Sequence, residues 1–137
     1  MSNNETNFWK IINALGLVFS PLILFAITTL SFLPLSGVES KAFLIPHFDK
    51  IAHLLSYTAL GGAMFFAVAK ESGNLKKAIV IIILGLVIGF SIEIIQPYFN
   101  RSFELLDIVS DFVGLVLGVY LASKILSLLN KVFKDMF

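Results

Sequence analysis

The third apolar run of the chain, Ala78 to Ile92 (AIVIIILGLVIGFSI), carries no charged side chain until it meets Glu93, and it closes at Gln96 and Pro97. A helix that is apolar all round fits only two surroundings, a deep protein core or lipid. Composition decides between them. The chain has 137 residues, 58% hydrophobic and 14% charged, with a mean hydropathy of +0.93, and a water-soluble domain of that size needs more charge to cover its surface. Three further apolar runs accompany this one. The expected fold class is therefore all-α, a transmembrane bundle of four helices at residues 11–32, 51–69, 78–96 and 108–126, forming one domain over residues 1–137. At about 1.5 Å of rise per residue, each run is long enough for a hydrocarbon core of roughly 30 Å.

The segments between the runs have their own signals. Residues 1–7 are polar and read as a disordered tail, and Phe8, Trp9 and Lys10 read as an interfacial anchor. The first run is too long, and too weakly basic at its start, to read as a cleaved signal. Pro21 is placed to kink it. Pro34, Gly37 and Pro46 mark a loop, with Phe43, His47 and Phe48 as a second interfacial belt. Asp49 falls at the start of the second helix, where the helix dipole favours an acid. Lys70 to Lys77 reads as a basic turn, and Lys124 is placed to snorkel towards the headgroups.

Orientation follows from the basic residues. Lys10, Lys70, Lys76, Lys77, Lys124, Lys131 and Lys134 lie on one side, against Lys41, Lys50 and Arg101 on the other. The positive-inside rule then puts both termini in the cytoplasm and the intramembrane polar residues on the outward side.

Those polar residues fall into stripes. Asp49, His53 and Tyr57 recur every fourth position on the second helix, Glu93 and Gln96 are three apart on the third, and Asp107 and Asp111 are four apart on the fourth. Arg101 lies in the turn between the last two helices. An ionisable side chain facing lipid is costly, so the stripes should face one another within the bundle. Gly85 and Gly89, and again Gly114 and Gly118, have the G-x-x-x-G spacing that permits close helix approach or a homo-oligomer. The plain alternative is that the polar residues are interhelical glue, with Arg101 as the structural partner of Glu93 or Asp107.

The ordered set D-K-x-x-H-x-x-x-Y at Asp49 to Tyr57, E-x-x-Q-x-x-x-x-R at Glu93 to Arg101 and D-x-x-x-D-x-x-G-x-x-x-G at Asp107 to Gly118 resembles the VanZ-like family of bacterial membrane proteins. The resemblance implies a multi-pass protein of the bacterial cytoplasmic membrane. It carries a family motif onto Asp49, Lys50, His53, Tyr57, Glu93, Gln96, Arg101, Asp107 and the two late glycines. Where the family often has asparagine, this chain has Asp111, which adds a negative charge or a shared proton. The family is named for a protein associated with resistance to teicoplanin, a glycopeptide acting at the outer membrane face.

Three functions compete. The first is a non-catalytic envelope protein whose cluster, with Asp111 included, binds an amphiphile such as a lipid-linked cell-wall precursor or a lipoglycopeptide. Lys50 and Arg101 would hold anionic groups and Tyr98, Phe99 and Phe103 would stack on the apolar part, though these aromatics equally suit simple interfacial anchors. The second is an intramembrane hydrolase or transferase acting on a lipid-linked phosphate. Glu93 or Asp107 would be the base, His53 the acid or a metal ligand, and Arg101 the oxyanion stabiliser. No H-E-x-x-H or G-x-S-x-G motif supports it, so no metal or cofactor is assigned. The third, a proton-coupled carrier, needs ionisable residues through the full membrane depth, and this chain gathers them at one end. Without cysteine there is no disulfide or thiolate site, and a net charge of +1 gives no reason to expect a nucleic-acid partner.

Overall fold

The computed structural model describes residues 3–33, 48–68 and 75–136. They form helix α1 (Asn3–Phe32), α2 (Phe48–Val68), α3 (Leu75–Ile95), a short 3-10 turn (Gln96–Phe99) and α4 (Leu105–Met136). The expected loop Leu33 to Phe48, with Phe43 and His47, lies almost wholly outside the described residues, as does most of the Lys70–Lys77 turn. All four helices are long and apolar enough to cross a membrane. The shortest qualifying stretch is the 21 residues of α2, about 31 Å at helical rise.

Several boundaries differ from the sequence reading. The polar residues from Asn3 onward continue α1 instead of forming a tail, and α4 runs on to Met136. Once a helix is nucleated, each added residue gains a backbone hydrogen bond at little cost, so helices outrun their apolar stretches. Lys76 and Lys77 fall in the first turn of α3. From there the Lys77 ammonium donates to the Val68 carbonyl at 2.7 Å, satisfying an oxygen left unpaired at the end of α2. Trp9 is not a surface anchor: it is buried with Phe65, Ile81, Val119, Ala122 and Leu126. Lys124 holds its ammonium 5.6 Å from the centroid of the Tyr120 ring.

The outer surface of the bundle is greasy throughout. Phe25 is 72% exposed, and Leu30, Leu55, Val87 and Leu128 are similarly bare. A surface of that kind is stable against lipid tails and not against water. Its hydroxyl groups are silenced within their own helices: Ser20, Thr28, Thr58, Ser91 and Ser110 each donate to the carbonyl four residues earlier, at 2.6–2.9 Å.

Inside, α2 and α4 form the most extensive interface, with α1 packed on α2 and α3 packed on α4. Small residues set this arrangement. A Cβ on Gly114 would lie 2.5 Å from the Leu54 carbonyl oxygen, and one on Gly118 would meet the backbone of Thr58 and Gly62. Gly16 makes the same close approach to the Ala67 backbone, and Gly61 to that of Leu115. The glycine spacings of α3 and α4 are thus used within the chain. Ile27, Tyr57, Leu60, Ile92 and Leu115 make a second core cluster, and Tyr57 is its border with the polar site.

Candidate functional site

The site is built where α2 begins, α3 ends and α4 begins. Asp49 lies in the first turn of α2 and Asp107 in the first turn of α4, where the N-terminal dipole favours a carboxylate. His53 and Tyr57 follow Asp49 at successive turns, with their rings near parallel and 6.4 Å apart. From α3, Glu93 enters with no exposed surface, and Gln96 is equally buried. Asp107 is 4% exposed and Asp111 1%. These residues converge as the stripes require.

Two of the contacts are firm polar links between helices. The Nδ1 of His53 stands 2.8 Å from Asp111 Oδ1, joining α2 to α4. With Asp111 ionised, this nitrogen carries the proton and donates. Glu93 Oε2 accepts the backbone N–H of Glu104 at 3.1 Å, joining α3 to the segment that opens α4. In the orientation that satisfies both groups, the side-chain amide of Gln96 also donates to Glu93, at 3.1 and 3.3 Å. The turn that permits this ends on Asn100, which adopts a left-handed conformation (φ 59°) and returns its N–H to the Gln96 carbonyl. Asparagine tolerates that conformation better than most side chains.

Lys50 sits at the mouth of the cluster. Its ammonium pairs with Asp49, with Glu104 and, at 3.0 Å, with Asp107. The Glu104 carboxyl is consequently held below the usual range by the adjacent Lys50 ammonium. Glu104 belongs to the turn that carries Arg101 and Asp107 into the fourth run, but it was not among the candidate site residues. Its only signal was an acid three positions before Asp107, in a turn where acids are common on the surface.

Arg101 behaves otherwise than the sequence suggested. It makes no ion pair with Glu93 or Asp107; its Nη1 donates to the Leu30 carbonyl at the end of α1, at a long 3.4 Å. The loop is closed instead by the Glu93–Glu104 bond and by Phe99, whose ring lies 4.8 Å from that of Phe32. A rim of exposed aromatics, Tyr98, Phe99 and Phe103, belongs to the same turn.

Gly89 has a role that its spacing did not reveal. A Cβ there would lie 2.6 Å from Asp111 Oδ2 and 3.0 Å from the Tyr57 hydroxyl. The missing side chain makes room for polar groups of the site, and Gly85, one turn further in, makes room for Leu115.

Four helices long and apolar enough to cross a membrane, with histidine, lysine and several carboxylates gathered at one end, define a multi-pass membrane protein with a buried cluster of ionisable groups. The family model described as VanZ/LLP1 matches residues 3–129, and the chain belongs to this VanZ-like family. No curated protein and no solved structure matches it.

Proposed function

We propose that this chain is a non-catalytic protein of the bacterial cytoplasmic membrane whose cluster faces outward and binds an amphiphile, either a lipid-linked cell-wall precursor or a lipoglycopeptide such as teicoplanin. One observation carries the reading: buried polar groups at one end of the bundle lie beside exposed Tyr98, Phe99 and Phe103. That pairing suits a ligand with a polar part and an apolar part. The excess of basic residues at the opposite end supports the outward placement. A groove of about 300 Å³ between α1, α2 and α4, lined by Gly16, Phe19, Ala59, Gly62, Gly118 and Ala122 among others, suits an acyl chain.

The ligand groups follow from which side chains are free. Lys50 already faces three carboxylates and has little left for an anion. Arg101 is the basic side chain at this end without a carboxylate partner among the described residues, and it is the candidate for a phosphate or carboxylate. The acidic interior suits donors, such as amide, amine or sugar hydroxyl groups.

The test is teicoplanin susceptibility of cells expressing wild type or His53→Gln, normalised to folded protein recovered from membranes. Resistance conferred by wild type and lost in the folded variant supports the reading. Unchanged susceptibility with wild type removes teicoplanin as the ligand. Equal resistance from both proteins removes the cluster as the binding site.

A further inference from the structure

The cluster contains two acidic compartments that share Asp107. In the first, Asp49, Glu104 and Asp107 bring carboxylate oxygens within 4.8 Å of one another, and the Lys50 ammonium pairs with all three residues. In the second, one donor atom each from His53, Glu93 and Asp107 lies within the same distance. Apart from the His53 imidazole itself and the Lys50 pair to Asp107 Oδ1, no basic side chain of the described residues is paired with these three. Two like compartments side by side, one holding a cation and one holding none, are electrostatically unequal.

The individual atoms point the same way. Asp107 is almost wholly buried, yet its Oδ1 has no partner other than the Lys50 ammonium. Its Oδ2 faces His53 Nε2 at 3.8 Å, beyond hydrogen-bond reach. Because Asp111 engages Nδ1, a neutral His53 presents the lone pair of Nε2 to that carboxylate. Two acceptors aimed at each other across such a gap repel unless a proton on Nε2 or a cation lies between them.

We infer that His53 Nε2, Glu93 and Asp107 form a site for a divalent transition cation, Zn²⁺ or Mn²⁺. An imidazole with two carboxylates is the donor set such ions accept, whereas Mg²⁺ and Ca²⁺ prefer oxygen alone. Donors about 2.0–2.2 Å from an ion stand roughly 3–3.6 Å apart, so the three side chains need to draw in by up to ~1 Å. Asp111 supplies what such sites use outside the ligands: a carboxylate on the far ring nitrogen that fixes the tautomer and strengthens the imidazole as a donor. Three protein ligands leave at least one position for water or a ligand oxygen. The inference does not depend on which amphiphile, if any, the protein binds.

The experiment is calorimetric titration of the purified full chain in detergent with ZnCl₂, MnCl₂ and MgCl₂, with bound metal counted by elemental analysis. The expected result is about one Zn²⁺ or Mn²⁺ per chain, at least tenfold weaker binding in His53→Gln, and unchanged binding in Lys124→Gln, far along α4 from the cluster. Asp111→Asn should weaken binding roughly 10–100-fold while retaining every ligand. If His53→Gln does not fold, the wild-type stoichiometry and Asp111→Asn decide. Folded wild type that binds neither ion saturably overturns the inference, and so does binding that His53→Gln or Asp111→Asn leaves unchanged.

Discussion

His53 and Asp111, 58 positions apart, meet through Nδ1 and Oδ1 at 2.8 Å inside the bundle. The bond fixes how α2 and α4 are rotated against each other at the polar end, and it decides which imidazole nitrogen faces Glu93 and Asp107. It also predicts an asymmetry between two substitutions. Asp111→Leu leaves a buried N–H without an acceptor and should cost about 1–3 kcal/mol, whereas Asp111→Asn keeps an accepting oxygen and should cost less. Thermal unfolding in detergent, followed by circular dichroism, measures both. Equal losses would mean that the bond does not hold the helices.

Gly85, Gly89 and Gly114 should respond differently to alanine. At Gly114 the new methyl meets the Leu54 backbone, which cannot move without separating α2 from α4. At Gly85 it meets the methyl ends of Leu115, which can rotate away. Gly89→Ala lies between, since it pushes on Asp111 and Tyr57. Overpacking of this kind costs roughly 1–3 kcal/mol, so melting temperatures should fall in the order Gly85→Ala, Gly89→Ala, Gly114→Ala, with the last lowest.

Lys50 is the one ammonium among three carboxylates and its side chain is 15% exposed. Lys50→Met should be destabilising, by about 1–3 kcal/mol, because it leaves the buried Asp107 carboxylate without its ammonium, while Asp49 and Glu104 are exposed enough to be screened by water. Adding Asp107→Asn should recover part of that loss. A double-mutant cycle showing no coupling would remove the ion pair from the account of stability.

Glu104 gives a pH signature. The Lys50 ammonium holds its carboxyl below the ordinary glutamate value. A depressed acid stabilises the fold above its unfolded pKa, about 4.3, and loses that contribution as pH falls through the folded value. The melting temperature of wild type should therefore drop faster below about pH 4.3 than that of Glu104→Gln. Parallel curves for the two proteins would show that Glu104 contributes nothing.

Topology is testable because the chain has no cysteine of its own. Ser102→Cys, in the turn beside Arg101, should react with a membrane-impermeant maleimide on intact spheroplasts. A cysteine at Ser127, near the opposite end of α4, should react only after lysis. The reverse pattern would invert the orientation and place the cluster on the cytoplasmic side.

The environment and the four helices were legible in the order of the residues. Hydropathy is a local property that sums along each run, so the four spans were legible from Ala78–Ile92 and its counterparts, as was the convergence of His53, Glu93, Asp107 and Asp111. The helix ends were less so, because propagation of backbone hydrogen bonds carried α1 back to Asn3 and α4 on to Met136. The partners of the polar groups were settled by how the helices pack. That packing gave Lys50 to Asp49, Glu104 and Asp107, turned Arg101 to Leu30, set Glu93 on the Glu104 amide and buried Trp9. Periodicity says which residues share a helix face, but pairing across helices depends on their rotation and separation. Those are set by where a glycine such as Gly89 or Gly114 lets another chain segment in, and that contact lies far away in sequence.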